Sequence, residues 1–272
     1  MKAGIHLAGS RTKAFGALAA ILVFLATASL IYIGIERGFD PVYELTYTPN
    51  KSLKSDPIMI GVFGDSWVAG EKLDAILTAK LSEQGLRCKV LSSGHPGANS
   101  RQVYRNLIRN QCEMIRTSNL RYLVLVAGVN DTAGHYGKDF YSHHMMAMIT
   151  VARSHGITPV LVEAPPYSID RVQREGLLSA IKASAFRYLF DAGSHNPISS
   201  YRKALSEKMR ASSSERIVYV PTEALLESGT NMLIYANASH LNSEGNKRLA
   251  EGIGEAIITD YAAHSPRSSS DQ

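Results

Sequence analysis

Four short polar segments of the sequence hold residue types that together could act on an acyl group. They are 64–67 with Ser66, 92–99 with Gly97, 128–131 with Asn130, and 237–242 with His240. A serine hydroxyl becomes a good nucleophile when a base takes its proton, and His240 is the candidate base for Ser66. The backbone N–H groups of Ser66 and Gly97 and the Asn130 side-chain amide could donate to a developing oxyanion. These residue types therefore predict acyl-transfer chemistry at Ser66.

The elements that precede these segments must bring them together. Short apolar runs alternate with amphipathic stretches, which predicts an α/β fold with a parallel sheet of about five strands and helices on both faces. The expected strands are 58–63, 88–91, 121–127, 158–163 and 216–221, and the main helices are 71–84, 101–112, 140–155 and 243–261. Three segments follow predicted strands and the fourth precedes the last helix. Because reactive groups gather at the carboxyl ends of such strands, all four are expected on one rim.

A helical insertion is predicted over about 167–212, between the fourth and fifth strands, where it is expected to shape the mouth of the site. Its aromatic residues include Tyr167, Tyr188, Phe190 and Tyr201. Packing roles are favoured for most of them, and an aromatic platform for a sugar is the alternative.

The N-terminal segment predicts a membrane anchor. No charged residue occurs from Ala14 to Ile35, a length that suffices to cross the hydrocarbon core as a helix. The basic residues that precede the run favour a cytoplasmic N-terminus and an extracytoplasmic domain. A cleaved signal peptide is the alternative, since 26–28 has the small-x-small form of a cleavage site. The uncleaved anchor is preferred because the apolar run continues past that point.

Charge and composition exclude several other classes. The net charge is +5, and most of the excess lies in the first 37 residues, so the rest of the chain is nearly balanced and no nucleic-acid partner is expected. A hydrophobic share of 45% with 19% charged residues excludes a disordered chain. The two cysteines, Cys88 and Cys112, could pair as a disulfide or remain free thiols. No phosphate-binding loop or metal-ligand cluster stands out, and no cofactor or metal is expected.

The combined pattern resembles the SGNH/GDSL hydrolase family, over about residues 56–262. The four residues for which that family is named match Ser66, Gly97, Asn130 and His240. The resemblance implies a three-layer α/β/α flavodoxin-like fold. It also implies Ser66 as nucleophile, His240 as general base, and Ser66, Gly97 and Asn130 as the oxyanion hole. Family members are esterases, lipases, thioesterases and carbohydrate O-acetylesterases, and some relatives are O-acetyltransferases.

The sequence departs from the family at one position. The last block usually reads Asp-x-x-His, and here Asn237 stands three residues before His240. An amide oxygen can orient the histidine ring, but it cannot stabilise an imidazolium by charge. Three possibilities stay open: a Ser–His dyad oriented by Asn237 or a backbone carbonyl, another acid such as Glu163, or a catalytically weak domain that binds a ligand.

The leading hypothesis is a single-pass inner-membrane protein whose periplasmic domain hydrolyses esters through an acyl-enzyme. A carbohydrate O-acetylesterase-like activity on cell-envelope or exported glycan is expected, with contact to polysaccharide export or assembly machinery as a possible partnership. The alternatives are an O-acetyltransferase with the same site, or a glycan-binding or assembly subunit. The expected organisation is a cytoplasmic N-terminus, an anchor, a linker, the hydrolase-like domain and a disordered tail, at 1–13, 14–35, 36–56, 57–262 and 263–272.

Overall fold

The structure is a computed structural model, and its chain divides between Phe39 and Asp40 into two compact units. The described residues are 6–42, 57–69, 72–109, 115, 119–164, 166, 177–212, 216–226, 234–237 and 239–264. The first unit contains helix α1, His6–Glu36. Among the described residues, Phe15–Glu36 is the one segment that is long and apolar enough to cross a membrane, with a mean hydropathy of 2.5. The predicted apolar N-terminal helix is confirmed, and it is a candidate membrane span or signal sequence.

The second unit is built on a five-stranded parallel sheet, as predicted. Its strands are β1 Ile58–Gly64, β2 Cys88–Gly94, β3 Tyr122–Val126, β4 Thr158–Val162 and β5 Val218–Val220. They are ordered β2-β1-β3-β4-β5, and every neighbouring pair is parallel. This is the order of flavodoxin-like sheets, in which the switch point lies between β1 and β3.

Helices connect the strands in the second unit. They are α2 Ser66–Ala69, α3 Leu73–Glu83, α4 Ser100–Arg109, α5 Val129–Ala133, α6 Lys138–Ser154, α7 Leu177–Phe190, α8 Ile198–Ala211, α9 Glu223–Leu226 and α10 Ser243–His264. Most predicted boundaries agree with these to within a few residues.

The alternating side chains of the strands build one apolar core on each face of the sheet. On one face, Val62 and Val124 pack with apolar residues of α3 and α10 such as Leu77 and Ile253. On the other face, Leu123 and Leu125 pack with residues of α4, α6 and α8. All five residues of β3 are buried, because a central parallel strand is covered on both faces. The sheet is therefore held rigidly between two helical layers, with its carboxyl ends left for the site.

The predicted insertion contains two helices with different surroundings. Helix α8 packs against α6, and Tyr201 and Leu205 are fully part of the core. Helix α8 completes the helical layer because its apolar residues at i, i+4 spacing pack on α6, and the role of the insertion at the mouth of the site stays a prediction. Tyr188 on α7 is exposed. Cys112, residues 43–56, Tyr167 and the tail after His264 lie outside the described residues, so the disulfide, linker and tail stay predictions.

Candidate active site

Ser66 is the first residue of the short helix α2, directly after β1. The Asp65 carboxylate accepts a 3.0 Å hydrogen bond from the Trp67 backbone N–H, which fixes this turn. Helix α2 packs closely against the sheet because glycines stand beneath it. A Cβ at Gly64 would lie 2.7 Å from the Val68 Cγ2 atom of α2, and one at Gly94 would lie 2.1 Å from the Ala69 nitrogen. The position of Ser66 therefore depends on two glycines at the ends of β1 and β2.

Gly97 lies at the tip of a turn beside β1. His95 N–H donates to the Gly64 carbonyl at 2.9 Å, and Ala98 N–H donates back to the His95 carbonyl at 3.1 Å. Gly97 has a φ of +74°, as the third position of a type II turn requires. Its N–H has no hydrogen-bond partner among the residues that the structure describes, and a Cβ here would face open space. The turn thus leaves this N–H free to donate to a ligand.

Asn130 lies in α5, after the end of β3, and its side chain reaches the Gly97 turn. Its Nδ2 donates a 2.9 Å hydrogen bond to the Ala98 carbonyl oxygen. An amide nitrogen carries two hydrogens, so a second donor remains on the same group. The structure therefore places the Asn130 side chain against the turn that contains Gly97, and the two donors lie close together.

The neighbouring Asp131 ties α5 to the start of α4. Its two carboxylate oxygens accept from the Ser100 N–H at 2.8 Å and from the Ser100 hydroxyl at 2.6 Å. Burial raises the pKa of Asp131 to about 6, against the lowering effect of these hydrogen bonds. In the sequence pattern, Asp131 stood only within the segment 128–131, and Ser100 was not singled out. The signal was a serine at the start of a helix, three residues after the site glycine.

Asp65 is a second buried carboxyl group beneath the site. Burial, with a smaller contribution from the nearby Asp131 charge, raises the pKa of Asp65 to about 7. Its Oδ2 is buried and has no hydrogen-bond partner among the described residues. The side chain therefore holds a proton over much of the acidic range, unlike an exposed aspartate.

His240 is oriented by Asn237. Three N–H groups converge on the Asn237 Oδ1 atom, each at 3.0 Å: the backbone N–H groups of Ser239 and His240 and the ring Nδ1 of His240. Because a backbone N–H can only donate, the atom that accepts all three is the amide oxygen. The His240 Nδ1 must then carry a hydrogen, which leaves Nε2 with its lone pair. This is the tautomer that a general base needs.

The His240 loop is held against the Ser66 helix by a tryptophan. The indole Nε1 of Trp67 donates a 2.7 Å hydrogen bond to the carbonyl oxygen of Ser239. Each of these residues is the chain neighbour of a predicted catalytic residue, so the bond brings the Ser66 and His240 segments together. The sequence pattern predicted no role for Trp67, although Trp67 is the single tryptophan of the chain and directly follows Ser66.

Glu163 does not replace the missing acid. Its carboxylate accepts from the Tyr219 hydroxyl at 2.6 Å and from the Thr222 N–H at 3.0 Å, and it lies 3.5 Å from the Arg202 guanidinium. The His240 Nδ1 instead contacts Asn237 and the Ser239 hydroxyl. The proposal of Glu163 as a substitute acid is therefore wrong, because its oxygens already hold the segment that follows β5.

Three other histidines, His135, His143 and His144, make contacts away from His240. His135 Nδ1 lies 2.8 Å from the buried Asp191 carboxylate, and His143 and His144 both contact the backbone of Asp40. Within the described ranges, no group of three or more histidine, cysteine or acidic side chains could hold a metal ion.

Comparisons with known proteins match the fold. No protein-family model and no curated protein sequence matches the chain. A lipase/acylhydrolase from Enterococcus faecalis superposes with a TM-score of 0.56 at 16% identity, covering 76% of this chain and 96% of that chain. An acetyl xylan esterase superposes with a TM-score of 0.55 at 15% sequence identity, and the match covers 74% of this chain and 100% of that chain. A GDSL-like lipase from Bacteroides thetaiotaomicron superposes with a TM-score of 0.54 at 17% sequence identity, and the match covers 75% of this chain and 90% of that chain. The resemblance to SGNH/GDSL hydrolases is thus confirmed in the fold.

Proposed function

We propose that the protein is a serine-dependent ester hydrolase of the SGNH type, with Ser66 as nucleophile and His240 as general base. The observation that carries the proposal is the Trp67–Ser239 hydrogen bond, which joins the two catalytic segments while Asn237 holds the His240 ring in the basic tautomer. Gly97 and Asn130 supply adjacent free donors. A nucleophile, an oriented base and oxyanion donors are the three parts that acyl transfer needs.

The reaction proceeds through an acyl-enzyme. The Ser66 hydroxyl oxygen attacks the ester carbonyl carbon as its proton passes to His240 Nε2. The carbonyl oxygen becomes an oxyanion that accepts from the N–H groups of Ser66 and Gly97 and from the Asn130 amide. Collapse of this intermediate breaks the ester C–O bond, and the leaving alcohol takes the proton from His240. Water then repeats the sequence and releases the acid and free Ser66.

The catalytic base works as part of a Ser–His dyad in which Asn237 is a positioning residue. Its oxygen holds the ring but contributes no negative charge to stabilise the imidazolium. Asn237 is exposed, so solvent partly stabilises the imidazolium in place of a buried carboxylate. The rate is expected to be lower than that of an otherwise equal triad.

The favoured substrate is an O-acetylated carbohydrate of the cell envelope or of an exported glycan. Support comes from the candidate N-terminal span, which would carry the domain to the periplasmic side of the inner membrane, and from the fold shared with an acetyl xylan esterase. Polysaccharide export machinery is a partner consistent with that location. The same site could pass the acetyl group to a sugar hydroxyl instead of water, which would make it an O-acetyltransferase.

The test is turnover of p-nitrophenyl acetate and of acetylated xylo-oligosaccharides by the full chain and by Ser66→Ala. The expected result is release of acetate that depends on Ser66. Partition between free acetate and acetylated acceptor separates the hydrolase from the transferase. No Ser66-dependent acetyl release or transfer, with the fold intact, would contradict the proposal.

A glycan-binding or assembly subunit is the second candidate, and the neutral Asn237 is the observation that favours it. In that case Ser66→Ala would leave the affinity for acetylated oligosaccharides unchanged, and the wild type would show binding without turnover.

A further inference from the structure

Helix α7 presents an exposed apolar stripe. Ile181, Tyr188 and Leu189 are 56%, 69% and 60% exposed, and at 3.6 residues per turn they share one face with Ala185. Among the described residues of the second unit, five large apolar residues are exposed, and these are three of them. Such clustering marks an interaction surface more often than scattered exposure does.

The charges of α7 suit an anionic surface. The helix has no acidic residue, and its two cations, Lys182 and Arg187, lie on either side of the stripe. The Lys182 Nζ atom lies 5.5 Å from the Phe186 ring centroid, and the central guanidinium carbon of Arg187 lies 4.9 Å from the Tyr188 ring centroid, so each positive charge lies beside an aromatic ring of the same helix. An apolar stripe flanked by cations is the arrangement of helices that lie in a membrane interface.

The point at which the chain enters the second unit lies at the same end of α6 as α7. A series of ring contacts runs from Phe186 to Tyr136 at 5.9 Å, to Phe140 at 5.1 Å and to His144 at 4.5 Å. His144 Nε2 in turn contacts the backbone nitrogen of Asp40 at 3.4 Å.

Asp40 is firmly attached there. Its carboxylate accepts hydrogen bonds from Arg101 at 3.0 Å and from Arg105 at 2.6 Å, and these arginines hold the pKa of Asp40 at about 2 against the raising effect of burial. Asp40 follows the last residue of α1 by four positions, which an extended chain covers in about 14 Å at most. The point at which the chain enters the second unit is therefore fixed at the end of α6 that α7 contacts.

We propose that the exposed stripe of α7, formed by Ile181, Ala185, Tyr188 and Leu189, docks on the surface of an anionic phospholipid bilayer. Two independent observations support a bilayer as the occupant: the cations of α7, a helix without acidic residues, and the fixed entry of the chain at Asp40, four residues after a candidate membrane span. Docking would bring the α5–α6 loop, and with it the Asn130 side of the site, to the membrane surface. The substrate would then be reached at the bilayer.

The test uses the full chain reconstituted in vesicles of equal parts phosphatidylglycerol and phosphatidylcholine with brominated acyl chains. The wild type has one tryptophan, the buried Trp67, which gives the background emission. Leu189→Trp adds a reporter on the stripe. Gln84→Trp adds an exposed reporter at the end of α3, on the opposite face of the sheet.

The expected result is loss of the added Leu189→Trp emission in brominated vesicles, with the Gln84→Trp emission retained. Ile181→Glu in the Leu189→Trp background should restore the emission, and Gln84→Glu should not. Equal quenching of the two reporters, or protection of Leu189→Trp by an acetylated oligosaccharide without lipid quenching, would overturn the proposal. Equal quenching in purely zwitterionic vesicles would overturn the role of the cations. None of these measurements depends on turnover.

Discussion

The indole nitrogen of Trp67 donates a 2.7 Å hydrogen bond to the carbonyl oxygen of Ser239. Trp67 follows the proposed nucleophile, and Ser239 precedes the proposed base. The two segments are separated by more than 170 residues of chain, so their approach must be fixed by tertiary contacts. Trp67 is 2% exposed. A buried hydrogen bond is stronger because no water competes for its donor and acceptor. The relative position of the two proposed catalytic residues therefore depends on Trp67, a side chain that has no part in the proposed reaction.

Trp67→Phe should lower kcat on p-nitrophenyl acetate by about tenfold or more, because the His240 segment loses its attachment to α2. The unfolding free energy should fall by about 1–3 kcal/mol, since the Ser239 carbonyl loses its partner. Tyr104→Phe is the matched control, because it removes an aromatic donor from the Pro41 carbonyl at 2.7 Å, away from the site. Equal loss of kcat in both variants would refute a specific role for Trp67.

Asn237→Asp should raise kcat. The two side chains have the same shape, so a carboxylate oxygen can take the place of the amide oxygen that accepts from His240 Nδ1, and its charge would stabilise the imidazolium. The gain should stay well below the roughly 10⁴-fold effect of a buried triad carboxylate, because Asn237 is exposed and solvent screens the charge. The measurement is the pH profile of kcat with Asn237→Ala alongside, which should lose activity. Unchanged or lower kcat in the aspartate variant would show that another group orients the ring.

Gly97→Ala should lower kcat by up to about 10²-fold, the scale of one oxyanion donor. A Cβ at this position meets no neighbouring atom, but the φ of +74° disfavours a side chain, and relaxation of the turn would redirect the N–H. Gly85→Ala is the matched control for Gly97→Ala, because Gly85, after the end of α3, also has a positive φ (+79°) and open space where a Cβ would lie. Both variants should lose about 1–2 kcal/mol of stability. If Gly97→Ala kept full activity, the proposed donor would not be used.

Asp65 should make the protein less stable as pH rises through neutrality. The folded pKa of about 7 is above the ordinary value of 3.8 because of burial, so the native state binds more protons than the unfolded state between these values. This contribution to stability is complete below pH 4 and is lost as pH rises through 7. The Tm of Asp65→Asn should therefore rise relative to that of the wild type between pH 5 and pH 8. For Asp139→Asn, at an exposed position, the difference in Tm from the wild type should stay constant over this range. A parallel Asp65→Asn curve would contradict the raised pKa.

The sequence predicted the elements whose patterns are local. The apolar run of β3, the alternation of strands and helices and the long apolar run of α1 each follow from neighbouring residues. The four site segments could be placed on one rim because parallel strands put their carboxyl ends together. Ser66, Gly97, Asn130 and His240 remain predictions as catalytic residues, although the contacts of Asn130 and Asn237 suit their proposed roles.

The features that escaped prediction depend on partners far apart in sequence. Glu163 was a plausible acid by position, and only its contacts with Tyr219 and Thr222 exclude it. The Trp67–Ser239 and Asp131–Ser100 bonds depend on side-chain direction across separate loops. Helix α8 joins the core because α6 offers it an apolar face, and the sequence of α8 does not reveal which element is its partner.

Covalent labelling by a fluorophosphonate reports on activation of Ser66 by His240, since the probe reacts with a serine that a base has activated. The full chain is treated with the probe and the adduct is mapped by mass spectrometry, beside Ser66→Ala, His240→Ala and the neighbouring Ser239→Ala. We predict an adduct on Ser66 that is absent in Ser66→Ala, strongly reduced in His240→Ala and retained in Ser239→Ala. Absence of labelling in the folded wild type, or an adduct on Ser66 that forms as fast without His240, would rule out Ser66 and His240 as a nucleophile and its base.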